Sequence, residues 1–462
     1  MEFAMATLIA PISALLFAVA AMLVGHGLQS TLLPIRAEQA HFGDVAIGLM
    51  SSGYFAGFVA GCLLVPFAIM RAGHIRAFAA IVSIASAAAL IHPLLVDPVT
   101  WTLARAVSGF GVAGFYMIVE SWLNERATNT TRGMVMSIYV VVNYAAISAG
   151  QVMTTIFGDN LFVPFIIASM FVSLAVVPVA LTRSQQPAPI TLVRFRPRLL
   201  YQNSPTAIVG CILIGFAIGS SWTLATVFAT RIGLTPDQAA FFVAAILVGG
   251  GLGQWPFGRI SDRIDRRIVL GATCAGTIVV CGVLVFATTL PPLTIILLGG
   301  LFGIFSQPAY AIAVAHAFDY VEPDGHVETS SGMLLAFGIG SIVGPFCASM
   351  MMRAAGPEQL FVMIGITEAV LLAYIIYRVR IHDAPTEEDK TDWDLGSTAP
   401  VGGVITPEPL DAEDPDVVIP EEVFFEASLD DANPDAPEEE EESARQVRER
   451  EVAAAAGDGV TR

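Results

Sequence analysis

Twelve long apolar stretches constrain this 462-residue chain more than any other feature. They run over about residues 8–33, 44–70, 76–96, 99–123, 132–157, 160–182, 205–230, 237–258, 267–289, 292–318, 329–353 and 357–379. Each is long enough to cross a bilayer core of roughly 30 Å as a helix rising about 1.5 Å per residue. A helix is required, because a lipid-exposed backbone must satisfy its hydrogen bonds within its own segment. The expected fold class is all-α, a polytopic membrane protein with 12 transmembrane helices in two pseudo-symmetric six-helix bundles. Charged residues make up 14% of the chain, well below the roughly one quarter of a soluble domain.

An even number of spans puts both termini on one side, and the arginines select which. With cytoplasmic termini, the inner loops and ends hold Arg71, Arg76, Arg126, Arg132, Arg183, Arg194, Arg196, Arg198, Arg259, Arg263, Arg266, Arg267, Arg378 and Arg380, against Arg36, Arg231 and Arg353 outside. Fourteen against three is a strong positive-inside bias. The expected location is the cell membrane, multi-pass, and the inner membrane in a Gram-negative cell. The opening MEFAMATLIAPISALLFAVAAML lacks a basic leading region and reads as the first retained span.

The net charge of −18 resides in the C-terminal part alone. From residue 381 there are 5 basic and 25 acidic residues, whereas residues 1–380 hold 18 and 16. Rich in Pro, Glu, Asp and Ala, 381–462 reads as a disordered acidic cytoplasmic tail. Nothing in this balance calls for a nucleic-acid partner. The five cysteines, Cys62, Cys211, Cys274, Cys281 and Cys347, all lie in apolar segments without a C-x-x-C pair. Cys274 and Cys281 share a helix face about 10 Å apart, beyond the roughly 7 Å limit for a disulfide. They read as packing residues, and no metal, redox group or other cofactor is expected.

The connection 183–203 divides the spans six and six, giving bundles at 1–182 and 205–380 joined by a cytoplasmic loop at 183–204. A shift of 192 residues carries Gly57, Gly61 and Arg71 of the second span onto Gly249, Gly253 and Arg263 of the eighth. The same shift maps the fourth span onto the tenth, as a duplication would. Small residues at i and i+4 let two helix backbones approach closely.

Between the eighth and ninth spans lies GRISDRIDRR, six charges in ten positions. From Gly258 through Asp262, Arg263, Arg266 and Arg267 it resembles the G-x-x-x-D-R-x-G-R-K loop of the major facilitator superfamily, with Asp265 at the family's second glycine. The first-half copy, PFAIMRAGH, keeps Arg71 and Gly73 but has Pro66 for the first glycine and Met70 for the aspartate. RAVSGFG, opening at Arg105, is similar to the family's R-x-x-x-G-x-G pattern, and GSIVGP, with Gly344 and Pro345, to its G-x-x-x-G-P kink. GLQSTLLPIRA, VESWLN and RGMVMSIYVVVNYAAISAGQ resemble the YcaD-like branch. The resemblance implies a secondary transporter with a central cavity that Arg105 faces and a loop that latches the cytoplasmic face. The fifth span has no Gly-Pro, which favours uniport or symport over antiport.

Ionisable groups deep in a span cost about 2.5–3.5 kcal/mol to insert and are functional candidates by default. Arg105 presents a planar fork suited to an anion, its alternative being a structural ion pair. Glu368 in the twelfth span and His26 in the first are candidate proton carriers, with packing roles as alternatives. Gln29, Asn143, Tyr144, Gln151, Trp222, Gln307 and Tyr310 are candidates for a cavity lining suited to a small organic solute. Glu120 falls near Arg126 and Arg132, as a gating ion pair or a solvated helix end. Asp262 is placed to accept from a helix start or an arginine.

The expected function is secondary active transport of a small organic solute, anionic by the Arg105 argument, with a coupling proton, by a monomer in the bilayer. No Walker A motif, paired catalytic carboxylates or nucleophile motif is present, so neither ATP-driven transport nor an enzyme is expected. The alternative is a transport-inactive sensor or scaffold acting through the acidic tail.

Overall fold

The computed structural model describes residues 12–127, 131–158, 160, 162–181, 197–321 and 326–381. Residues 182–196, with Arg183, Arg194 and Arg196, and the tail from 382 onward lie outside them. Among the described residues, 12 helices are long and apolar enough to cross a membrane. They are α1 (Ser13–Gln39), α2 (Asp44–Ala72), α3 (His74–Leu94), α4 (Pro98–Arg126), α5 (Arg132–Ile156), α6 (Val163–Ala180), α7 (Pro205–Arg231), α8 (Pro236–Arg263), α9 (Arg266–Leu284), α10 (Pro292–Phe318), α11 (Glu328–Ala355) and α12 (Gln359–Ile381). Short connections such as Gln39 to Asp44 make neighbours antiparallel. The face where α1 begins and α12 ends is called the near face, the opposite one the far face.

Helix ends follow local chemistry. Asp97 caps α4 by accepting from the Thr100 N–H at 2.8 Å, and Thr235 with Gln238 forms a reciprocal capping box on α8. Three boundaries differ from the hydropathy reading by five residues or more, and one of them is the end of α8, which runs past 258 to Arg263. α1 runs six residues past 33, through Arg36 to Gln39, where a far-face ion pair holds its last turn. α9 stops at Leu284 instead of 289, passing through a short 3-10 turn at Ala287–Thr289 before Pro291 and Pro292. Within α10 the helix breaks at Gln307, because Pro308 has no N–H to give the carbonyl of Ile304.

Packing repeats after six helices. α2 lies on α4 as α8 lies on α10, α1 on α5 as α7 on α11, and α3 on α6 as α9 on α12. The close approaches are glycine contacts. A Cβ on Gly57 or Gly61 would run into the carbonyls of Ala106 and Phe110, and one on Gly249 or Gly253 into those of Gly300 and Ile304. The 192-residue shift also joins Gly27, which meets Ile147 of α5, to Gly219, which meets Ser341 of α11. Gly344, one residue before Pro345, meets the Phe216 carbonyl of α7.

The two sets of six helices meet through α2 on α11, α5 on α8 and α1 on α7. At the far face Arg231, ending α7, forks onto Glu38 of α1 with Nη2–Oε1 2.7 Å and Nε–Oε2 3.0 Å. The same guanidinium pairs with Asp44, which opens α2. A bidentate charge-assisted pair of this kind fixes geometry as well as contributing energy.

Candidate functional site

A cavity of about 210 Å³ lies near mid-depth between the two sets of helices. Helices of both sets line it. α1 supplies His26, α2 Tyr54, Phe55 and Phe58, α4 Tyr116, and α5 Asn143 and Tyr144; across from them stand Trp222 of α7, Gln254 of α8, Gln307 and Tyr310 of α10, and Phe337 of α11. Its outermost lining side chains stand about nine residues from the far helix ends. Among the described residues, no Asp, Glu, Lys or Arg lines it.

The walls are rings. His26 stacks on Tyr54, with centroids 5.5 Å apart and planes at 23°, and on Trp222 at 6.4 Å and 22°. His26 Nε2 and the Tyr54 hydroxyl are 3.4 Å apart. Tyr310 packs on Phe337 at 4.9 Å. The amides are partly engaged: Asn143 Nδ2 donates to the Tyr139 carbonyl at 2.8 Å, and Gln254 Nε2 to the Tyr144 hydroxyl at 3.3 Å and to the Gln307 carbonyl at 3.5 Å. The last bond uses a carbonyl beside the Pro308 break.

Of the residues expected to line a cavity, His26, Asn143, Tyr144, Trp222, Gln307 and Tyr310 do so. Gln29 and Gln151 do not; both are buried in the far halves of α1 and α5, with Gln29 Nε2 and Gln151 Oε1 unpartnered. Arg105 does not face the cavity. Its guanidinium lies over the Tyr54 ring, 4.3 Å from the centroid, and its Nη1 is buried without a partner. The close approach of α2 and α4 puts the Tyr54 ring, rather than the guanidinium, against the cavity. Glu368 is 2% exposed in the contact of α12 with α9, away from the cavity.

Glu120 is no solvated helix end: it is 3% exposed and its Oε1 accepts from the Tyr139 hydroxyl at 2.7 Å. The nearby Arg132 donates to Asn124 at 3.1 Å. In the α8–α9 corner, Asp262 accepts from Arg266 at 3.3 Å, and Arg266 also donates to Ser261 at 3.1 Å and to Asp319, past the end of α10, at 2.9 Å. Asp265 accepts from the Arg267 backbone N–H at 2.9 Å, capping α9, and from its guanidinium at 2.7 Å. Burial raises the Asp265 carboxyl, but its bonds to Arg267 outweigh that and hold it below the usual carboxylate range. Arg263 is exposed, and Gly258 is buried with its carbonyl accepting from Ser261 at 2.6 Å. Arg71 is exposed, and Gly73 links α2 to α3 at φ 77°, a left-handed backbone open to glycine.

Sequence reading missed Tyr54, Tyr116, Gln254 and Asp319, and the pairing of Arg231 with Glu38 and Asp44. Polar tips inside apolar runs, as in SSGYFAGF and GLGQWPF, were the available signal for three of them.

Comparison with known proteins agrees with this architecture. Residues 207–410 match the family model "Major Facilitator Superfamily", and residues 16–182 match "Sugar (and other) transporter". The uncharacterized MFS-type transporter YcaD of Escherichia fergusonii is 26% identical over 374 residues, 80% of this chain and 96% of its own. YcaD of an Escherichia coli strain is 27% identical over 374 residues, covering 80% of this chain and 97% of its own. Among solved structures, the nucleoside transporter NupG superposes with a TM-score of 0.68 at 13% identity, over 79% of this chain and 98% of that one. A bacterial homologue of the human lysosomal transporter Spinster, described as inward-facing and occupied, gives 0.66 at 16% identity, over 82% and 97%. At these identities the structures speak for the fold.

Proposed function

The chain belongs to the major facilitator superfamily, in which its relatives are multi-pass membrane transporters, and from that premise we propose that it moves a small uncharged organic solute by alternating access. The moving parts are the two six-helix halves, 1–182 and 205–380, and the near face is cytoplasmic. The solute site is the ring-lined cavity. An anionic solute meets no fixed cation there, since Arg105 stands behind Tyr54. His26 is the titratable candidate that touches the cavity, so a coupling proton is assigned to it and not to Glu368.

One observation carries the mechanism. Gln29, Thr31, Ser51, Ser52, Ser148 and Gln151 each hold a buried side-chain atom without a partner, and all lie in the far halves of α1, α2 and α5. Those three helices contact the second half of the chain. A buried polar group left unpaired costs about 1–3 kcal/mol. Six in one region suit a vestibule that closes dry in this state and is wetted in the other. The Arg231 pair with Glu38 and Asp44 sits above them as the closing contact.

Thiol labelling of Gln151→Cys, counted against the five-cysteine parent, tests this reading. Labelling is expected to be slow in the otherwise native protein and to rise several-fold when Arg231→Ala is added. Equal labelling in both, with the protein folded, would remove the far-side opening.

A further inference from the structure

Helix α4 carries one charge on either side of the cavity. Arg105 stands seven residues in from its far end and Glu120 six residues in from its near end, about 22 Å apart along the axis. The Arg105 guanidinium lies on Tyr54, whose hydroxyl is 3.4 Å from His26 Nε2. Glu120 lies one turn beyond Tyr116, which lines the cavity. Its Oε1 accepts from the Tyr139 hydroxyl of α5, and one turn farther in on α5 is Asn143, which lines the cavity and donates to the Tyr139 carbonyl. Both helices that hold the Glu120–Tyr139 pair thus reach the cavity wall one turn deeper.

Among the described residues of α1–α6, Glu38, Asp44, Asp97 and Glu125 lie at or near helix ends, and Glu120 alone of the acids is buried. The titratable groups that face it come from four helices. Tyr116 is on its own helix and Tyr139 on α5, while Cys62 of α2 and Tyr310 of α10 lie within reach of its charge. Arg126 and Arg132 stand nearer the helix ends, and Arg132 donates to Asn124.

A cation on the far side of the cavity and an anion on the near side set up a potential that falls from far to near. The α4 dipole adds to it in the same sense, because the N-terminus of α4 is at the far face. A proton on His26 sits beside the like charge of Arg105, and the cavity, about 210 Å³, has room for several waters between His26 and Tyr116. Its downhill direction is toward Glu120.

We propose that Glu120 is a second proton site of this protein, the near-side station for the proton that His26 takes up. The transfer balances without another reactant. The His26 imidazolium gives up a proton and returns to the neutral ring, one Glu120 oxygen gains that proton, and the carboxyl then releases it to water at the near face. The Tyr139 hydroxyl, which donates to the ionised carboxylate, turns to accept from the protonated one. This rests on the transport reading above for the role of His26, and adds a proton site that the cavity itself does not contain.

Infrared titration of the reconstituted full-length protein reads the C=O stretch of protonated carboxyls. The difference between the parent and Glu120→Gln is expected to hold a band that rises as pH falls, and Glu368→Gln is expected to keep that band. A difference without it overturns the proton site. Tyr139→Phe, which keeps the ring and removes the donor, serves where Glu120→Gln does not fold. It is expected to displace the midpoint of the band by about one pH unit, the equivalent of a hydrogen bond to a charged group, and an unmoved midpoint overturns the assignment to Glu120. Arg231→Ala, which opens the far side on the transport reading, is expected to shift the midpoint by about half a unit, since a coupled proton binds the two states with different affinity. A midpoint that holds still while far-side labelling rises overturns the coupling role. Labelling that does not rise sinks the transport reading, and the Glu120 band still decides the proton site.

Discussion

The α2–α3 and α8–α9 corners occupy equivalent places 192 residues apart and are built from opposite materials. In the first, Gly73 turns the chain at φ 77°, and the next residue, His74, is buried with Nε2 3.5 Å from the Ser121 hydroxyl. In the second, Asp265 stands where Gly73 would fall and turns at an ordinary φ of −57°, capping α9 with its own carboxylate. Arg266 takes the place of His74, and with Asp262, Ser261 and Asp319 it forms a charged knot where His74 meets Ser121 and the Trp122 ring. Two copies of one corner have reached a similar turn by different physics: one by backbone freedom, the other by charge.

The comparison can be broken first at Asp319. Asp319→Asn leaves Arg266, 1% exposed, short of its closest carboxylate, and a loss of about 3 kcal/mol is expected, seen as a large drop in melting temperature. A fall no larger than that of a surface change would mean that the knot is solvated and the corners are alike. His74→Ala should cost less, about 1–2 kcal/mol in the same assay, because it removes a neutral packed ring. Next comes the state balance. Asp262→Asn, whose side chain is partly exposed, is expected to change the labelling rate of a far-side cysteine two- to fivefold, or about 0.5–1 kcal/mol. Met70→Asn, at the equivalent exposed position, should leave the rate unchanged, and equal effects would reduce the second corner to a topology signal.

The smallest effect sharpens the comparison through pH. Asp265 has a depressed carboxyl, so its contribution to stability is present at neutral pH and is lost as pH falls through that depressed range. Asp265→Asn should flatten the acid limb of melting temperature against pH and leave the neutral plateau slightly lower. Arg71→Ala, an exposed change in the first corner, should alter stability by no more than about 0.5 kcal/mol.

The spans were legible because length and apolarity alone identify a membrane helix, and the repeat because glycine at a backbone contact tolerates no substitute. Helix faces were not legible. Lipid is as apolar as the interior, so α2 or α7 shows no polar side to mark what looks inward, and Tyr54 and Trp222 carry the same sequence signature as lipid-facing rings. That is why Gln29 and Gln151 were placed at the cavity and Gln254 was passed over. The motif located Arg105 on α4 and in depth, but not which side of Tyr54 it takes. Charges meeting across the fold were beyond reach: Arg231 and Glu38 are 193 residues apart, and neither segment looks unusual alone.

The unpartnered atoms in the far halves of α1, α2 and α5 also have an osmotic meaning. If each gains a water when the vestibule opens, opening is a hydration reaction, and water activity becomes one of its reactants. An impermeant osmolyte on the far side would then hold the protein in the state described here, and dilution would release it. A membrane under osmotic stress would set the pace of this transporter without any molecule binding to it.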